Sequence, residues 1–225
     1  MKPQRIILLR HGLSNANVDP LVYERTPDHM IALTAEGIDQ ARIVGQRIGE
    51  ILKEESFGVF TSPYVRALQT KDAMLRGIGR SPVFDYQDPS IREQEYGNMP
   101  TVEASEQNRA SRNQIGRFFY RFPDGESCAD VYDRMAIFMQ SLFRRFERDS
   151  CPQNIIIVSH GTAIKCFLSR WYHWSVEKFD GLGLLPNCHV SLMTNESGSH
   201  GRARYKLSEP FSDIHYFGEA ENEED

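Results

Sequence analysis

What this chain has little of narrows its class first. Cysteine is sparse: four in 225 residues, Cys128, Cys151, Cys166 and Cys188, with no Cys-x-x-Cys pair. That spacing argues against a disulfide framework or a zinc site and reads as reduced, mostly buried thiols. Long apolar runs are missing, and none approaches the roughly 20 residues that a membrane-spanning helix needs, so no membrane partner is expected. Excess positive charge is missing too: 26 Lys and Arg stand against 31 Asp and Glu, a formal net charge of -5. General nucleic-acid binding is therefore not expected. Five carboxylates crowd into Glu219-Ala220-Glu221-Asn222-Glu223-Glu224-Asp225, so residues 218–225 are expected to form a solvated, disordered tail. The opening Met1-Lys2-Pro3-Gln4-Arg5 leads into only four apolar residues, too short a run for a signal-peptide core. A cytoplasmic protein is expected. No internal repeat is visible.

What is present is an alternation of strand and helix patterns. Ile6–Leu9 reads as a buried strand, followed by a helix capped at Thr34 with Ile38, Ala41, Val44, Ile48 and Ile51 at helical spacing. Phe57–Thr61 is a second strand, with Pro63 suited to the first turn of the next helix. Pro82–Tyr86 reads as a third strand, Val131 to Phe146 as a long amphipathic helix and Ile155–Val158 as a continuous apolar strand. Ala163–Trp171 reads as a helix. Val190–Thr194 and Arg204–Leu207 flank a hairpin turn at Glu196-Ser197-Gly198-Ser199-His200-Gly201. This order predicts an α/β protein of three layers, α/β/α, with a mostly parallel central sheet and helices on both faces. Residues 1–217 are expected to form a single domain, with residues 88–125 as a small helical and loop insertion of lid type.

In such sheets ligands bind beyond the carboxyl ends of the strands. Two apolar runs end there in the same dipeptide: Leu8-Leu9-Arg10-His11-Gly12 and Ile157-Val158-Ser159-His160-Gly161. If the two strands are neighbours, both histidines enter one crevice. Asn17 follows the first run, Ser62 and Arg66 follow the second strand, and Glu93 lies in Ile91-Arg92-Glu93-Gln94-Glu95-Tyr96-Gly97. Two arginines, two histidines, an amide and one carboxylate suit a tetrahedral dianion, because a guanidinium fork matches phosphate oxygens. A metal site would call for more carboxylates and fewer cations, so neither a metal nor a cofactor is expected. Arg109, Arg112, Arg117 and Arg121, interleaved with aromatics, form either a solvated helix face or a basic lid on an anionic substrate. Ser62 suits a helix cap as well as a ligand contact.

These motifs resemble the histidine phosphatase superfamily, in its phosphoglycerate-mutase-like branch. Arg10-His11-Gly12 with Asn17 is similar to the family's nucleophile motif, and Ser62-Pro63-x-x-Arg66-Ala67-x-Gln69-Thr70 to its second-arginine motif. Glu93 in Glu-x-x-Tyr-Gly resembles the proton donor, and Ser159-His160-Gly161 the second histidine. Leu13 departs from the glutamate common at that position in mutases. The resemblance implies His11, Glu93, His160, Arg10 and Arg66 as catalytic residues, with Asn17, Ser62, Gly161, Arg109 and Arg112 as substrate contacts. His11 would attack phosphorus and become a phosphohistidine, and Glu93 would first protonate the leaving oxygen and then activate water. An acidic to near-neutral optimum follows from a Glu93 that must begin protonated.

The same site serves transfer to water or to a second hydroxyl. The middle segment is shorter than in glycolytic mutases; residues 116–127 resemble a small intracellular phosphatase-type subgroup, and Pro123-Asp124-Gly125-Glu126-Ser127 within them resembles the phosphatase half of fructose-2,6-bisphosphate enzymes. A phosphomonoester hydrolase is the preferred expectation, acting on a phosphorylated small molecule or a phosphoprotein. A phosphoglycerate-type phosphomutase is the alternative. A catalytically silent phospho-ligand-binding module is the alternative of another class. Sequence specifies neither the alcohol nor the oligomeric state.

Overall fold

The computed structural model describes residues 2–97, 102–196 and 204–208. The acidic tail and most of the expected hairpin turn, residues 197–203, lie outside the described residues, as does the side chain of Arg109. In chain order the elements are β1 (Arg5–Arg10), α1 (Asn15–Val18), α2 (Ala35–Leu52), β2 (Phe57–Thr61), α3 (Val65–Ile78) and β3 (Asp85–Gln87). They continue with α4 (Val102–Ile115), α5 (Cys128–Phe146), β4 (Asn154–Ser159), α6 (Gly161–Tyr172), α7 (Val176–Asp180), β5 (Val190–Asn195) and β6 (Tyr205–Ser208).

The six strands form one sheet in the order β3-β2-β4-β1-β5-β6. β1, β4, β2 and β3 run parallel, while β5 is antiparallel to β1 and β6 to β5. The sheet is buried on both faces, which is why β1 and β4 read as unbroken apolar runs. Side-chain alternation sorts each strand between two cores. Ile6, Leu8, Phe60, Ile155 and Ile157 pack with Val131, Met135, Phe138 and Leu142 of α5 and with Ile164 and Phe167 of α6. Ile7, Leu9, Val59, Ile156 and Val158 pack on the opposite face with Ala41, Val44 and Ile48 of α2 and Met74 of α3. The predicted three-layer α/β/α architecture is therefore observed.

Thr34 caps α2, its hydroxyl accepting from the Gly37 N–H at 2.9 Å. Pro63 does not sit in the first turn of α3: the helix starts at Val65, after Tyr64. The third strand lies three residues later than Pro82–Tyr86 suggests, because only Asp85–Gln87 pairs with β2, at the sheet edge. All four cysteines are free thiols. No helix among the described residues is long and apolar enough to cross a membrane.

Candidate active site

The two His-Gly motifs meet because β1 and β4 are hydrogen-bonded parallel neighbours with Arg10 paired to Ser159. The His11 N–H donates to the Ser159 carbonyl at 3.0 Å. The His11 and His160 rings then stand edge to face, 5.2 Å apart by their centroids. Both are buried. The turn after His11 is held by close backbone approach. A Cβ on Gly12 would lie 2.4 Å from the Gly37 carbonyl oxygen, and a Cβ on Gly37 would lie 2.1 Å from that of Leu13. Thr70 completes the clamp: its hydroxyl accepts the Gly12 N–H at 3.0 Å and donates to the Arg66 carbonyl at 2.7 Å.

His11 has a defined tautomer. Its Nδ1 lies 2.8 Å from the Gly12 carbonyl oxygen, an atom that only accepts, so Nδ1 carries the proton and Nε2 keeps its lone pair. Burial, then the positive charges of Arg10 and Arg66, lower its pKa well below the ordinary 6.5. His160 is lowered in the same way, by burial first and then by Arg66, His11, Arg10 and Arg134. Its Nε2 lies 2.7 Å from Ser62 Oγ, while its Nδ1 is buried without a hydrogen-bond partner among the described residues. Ser62 thus braces His160 and is not the cap of α3, a place taken by Tyr64.

Arg10 donates from Nη1 to the Leu185 carbonyl and leaves a buried Nε without a partner among the described residues. Gly161 lies against it: a Cβ there would be 3.5 Å from that Nε. Arg66 is bound to a residue that sequence reasoning missed. Its Nη1 donates to the Asp28 carbonyl at 2.6 Å and to Asp28 Oδ1 at 2.9 Å, and its Nη2 to Oδ2 at 3.3 Å. The Nε–H and one Nη2–H of Arg66 are left for an anion. Asn17 is exposed; its Oδ1 accepts from the Ser14 N–H and hydroxyl and from Asn187 Nδ2, which caps α1.

Glu93 is buried beside the start of α6. Its carboxylate accepts from the backbone N–H of Thr162 at 3.3 Å, of Ala163 at 3.2 Å and of Gln94 at 3.0 Å. The segment carrying it is tied by Arg134, also missed. That guanidinium donates to the carbonyls of Ser90, Arg92 and Glu93 and pairs through Nε and Nη2 with both Glu126 carboxylate oxygens, at 3.0 and 2.9 Å. Glu126 in turn receives Arg92 and the Glu95 N–H, and its own pKa is held down by Arg134 against the opposing effect of burial. Arg134 lies on α5 and belongs to none of the motifs; only its partner Glu126, in Pro-x-Gly-Glu-Ser, was within sight of sequence reasoning.

The basic stretch divides. Arg112 is half-buried in the last turn of α4, and the exposed Arg121 pairs with Asp130 at 2.5 Å. A cavity of about 350 Å³ opens beside Arg66 and Glu93, walled in part by Tyr23, Tyr64 and Tyr96. Tyr64 stacks edge to face on His160 at 5.1 Å, and the Tyr96 hydroxyl lies 3.4 Å from that of Thr162. Among the described residues no three His, Cys, Asp or Glu side chains gather as metal ligands. The site is thus a cation-rich floor with an uncharged imidazole, a lone pair and one amide-bound carboxylate. Such a set is chemically suited to a phosphoryl dianion.

The chain has relatives among known proteins. Residues 6–206 match the family description "Histidine phosphatase superfamily (branch 1)". The chain is 38% identical over 223 residues to a phosphoglycerate mutase-like protein of Arabidopsis thaliana, covering 92% of this chain and 79% of the relative. It is 26% identical over 285 residues to a broad-range acid phosphatase of Saccharomyces cerevisiae, covering 85% of each. The fold superposes on a mycobacterial glucosyl-3-phosphoglycerate phosphatase with a TM-score of 0.68 at 19% identity, covering 91% of this chain and 97% of that one.

Proposed function

Since the chain belongs to the histidine phosphatase superfamily, we propose that it hydrolyses phosphomonoesters through a phosphohistidine formed on His11. The observation that carries this reading is the Nδ1–H to Gly12 carbonyl bond, which leaves the Nε2 lone pair free on a ring that feels the charges of Arg10 and Arg66 and stands against His160. In the first step that lone pair forms the N–P bond while the bond from phosphorus to the ester oxygen breaks. The departing oxygen takes its proton from the Glu93 carboxyl group. In the second step Glu93 removes a proton from water, the new P–O bond forms, the N–P bond breaks, and the lone pair returns to His11. Inorganic phosphate and the alcohol are the products.

Arg10 and Arg66 supply fixed positive charge where the equatorial oxygens gather charge in the transition state. Their unused N–H groups are the donors. With Ser62 donating to His160 Nε2, the Nδ1 of His160 keeps its proton and becomes a further donor. Asn17 contributes through its amide nitrogen, since its oxygen is engaged in capping. Splitting one displacement into two lets a neutral imidazole carry the phosphoryl group between alcohol and water. A cytoplasmic setting is part of the same reading, supported by four free thiols.

The test is turnover of p-nitrophenyl phosphate by purified protein, with and without EDTA, beside His11→Ala. Metal-independent turnover that vanishes in the variant supports the mechanism, and acid-labile label on His11 after quenching with radiolabelled substrate identifies the intermediate. Equal rates in both proteins overturn it. Label on His11 passed to a second alcohol and not to water points to a phosphomutase; binding of phosphate with neither label nor turnover points to a silent module.

A further inference from the structure

We propose that the alcohol half of the substrate carries a cationic centre, an ammonium or quaternary ammonium group, held by the acidic and aromatic cavity beside the phosphoryl site. The proposal rests on the phosphatase reading, because it places the ester oxygen between His11 and Glu93. The cavity adjoins the phosphoryl residues through Tyr64, which touches His160, Asp28, which binds Arg66, and Tyr96, which touches Thr162.

The charge of this wall decides what it accepts. Glu24, Asp28 and Glu95 line it, and no lysine or arginine is among its described lining residues. Asp28 is matched by Arg66. Glu24, which is exposed, and Glu95, which is half-buried, line the cavity and have no ion-pair partner among the described residues. A leaving group bearing a carboxylate or a second phosphate would meet these carboxylates, with no lysine or arginine among the described lining residues to offset the repulsion. A cationic leaving group would offset both.

The aromatic rings act in the same direction. Tyr23 and Tyr64 are pushed up to about 12, mainly by burial, so their rings stay neutral and electron-rich at physiological pH. A neutral phenol presents a negative ring face to a cation. The wall already holds one cation in this manner, since the Arg66 guanidinium carbon lies 5.0 Å from the Tyr64 ring centroid. The substrate that fits both ends is a zwitterion, its phosphoryl dianion on the arginines and its cation among the tyrosines and free carboxylates. At about 350 Å³ the cavity has room for an amino-alcohol group.

The experiment compares kcat/KM for phosphocholine and phosphoethanolamine with that for phosphoglycerate, glycerol phosphate and p-nitrophenyl phosphate, in the wild type and in Glu24→Gln/Glu95→Gln. The expected result is a preference of about tenfold or more for the cationic esters over phosphoglycerate, the scale of one cation held by a desolvated ring and carboxylate. In the double variant that ratio falls towards one. Equal rates, or a preference for phosphoglycerate, overturn the cation proposal while p-nitrophenyl phosphate turnover keeps the phosphatase reading intact. If no ester turns over, the phosphatase reading fails. Calorimetric titration with phosphocholine and phosphoglycerate then decides the cavity separately: tighter phosphocholine binding upholds the proposal and tighter phosphoglycerate binding overturns it.

Discussion

Both carboxylate oxygens of Asp28 engage the guanidinium of Arg66, at 2.9 and 3.3 Å, in the place where an arginine fork is otherwise free to hold a phosphate. Arg66 is only 4% exposed. A buried charge that loses its partner is costly, and Asp28 is also an anion that the incoming phosphoryl group must share Arg66 with.

Two opposed effects follow for Asp28→Asn. Free stability falls by about 2–3 kcal/mol because Arg66 is left short of countercharge. Inorganic phosphate then has an arginine without a rival anion. Thermal unfolding with and without phosphate checks both: the variant melts lower than wild type alone and gains more from phosphate than wild type does.

The two site histidines should remain uncharged in mildly acidic solution. Both have pKa values lowered well below 6.5, by burial first. Of the seven histidines in the chain, two are expected to show no titration of their ring-proton NMR signals between about pH 7.5 and 5.5, around the ordinary value near 6.5. His11 therefore keeps its Nε2 lone pair in mildly acidic solution. Two flat signals that persist in His11→Asn and His160→Asn would refute this assignment.

The same shifts make stability depend on pH with a definite sign. Above about 6.5 both imidazoles are neutral in the folded and unfolded chain alike, and the full stability is present. As pH falls below that value the unfolded chain binds protons that the folded one refuses, so stability drops, by up to about 1.4 kcal/mol per pH unit for each histidine, until the lowered folded-state values are reached. Urea unfolding at pH 7.5 and 5.5 measures the loss, which His160→Asn should reduce.

Arg134 holds the backbone of residues 90–93 and both oxygens of Glu126 at once. Lysine keeps the charge but cannot bridge these acceptors. Arg134→Lys should lower kcat on p-nitrophenyl phosphate about tenfold or more with little change in KM, the signature of a misplaced proton carrier. A change confined to KM would contradict that positioning role.

Gly12 and Gly37 cross too closely for any side chain. Gly37→Ala pushes a methyl into the Leu13 carbonyl and should cost about 2–3 kcal/mol, with His11 displaced and activity lost alongside. A variant with wild-type melting temperature and rate would show that the turn relaxes freely.

Much of this protein was legible in the chain itself. β1 and β4 announced themselves because a strand buried on both faces must be apolar at every position, and the polar dipeptides marked where burial ends. Arg10, His11, Ser62, Arg66, Glu93 and His160 could be gathered because each lies within a few residues of such an end. Pairing of β1 with β4, implied only by the repeated dipeptide, put the two imidazoles 5.2 Å apart. Arg109 and Arg112 carried no such mark, and neither Asp28 nor Arg134 stood in a motif.

The sequence by itself determined the fold class and the family, and it supplied the residues proposed to hold the phosphoryl group, since these follow from local periodicity and from residue types held at short spacing. Only the tertiary structure decided what surrounds that end. Asp28 reaches Arg66 across 38 positions, and Arg134 reaches Glu93 across 41. The tautomer of His11 depends on the direction of one carbonyl, and the charge of the cavity on which carboxylates the fold leaves unpaired. None of these is encoded in spacing, because each is set by chain segments that meet only after the sheet and its helices have packed.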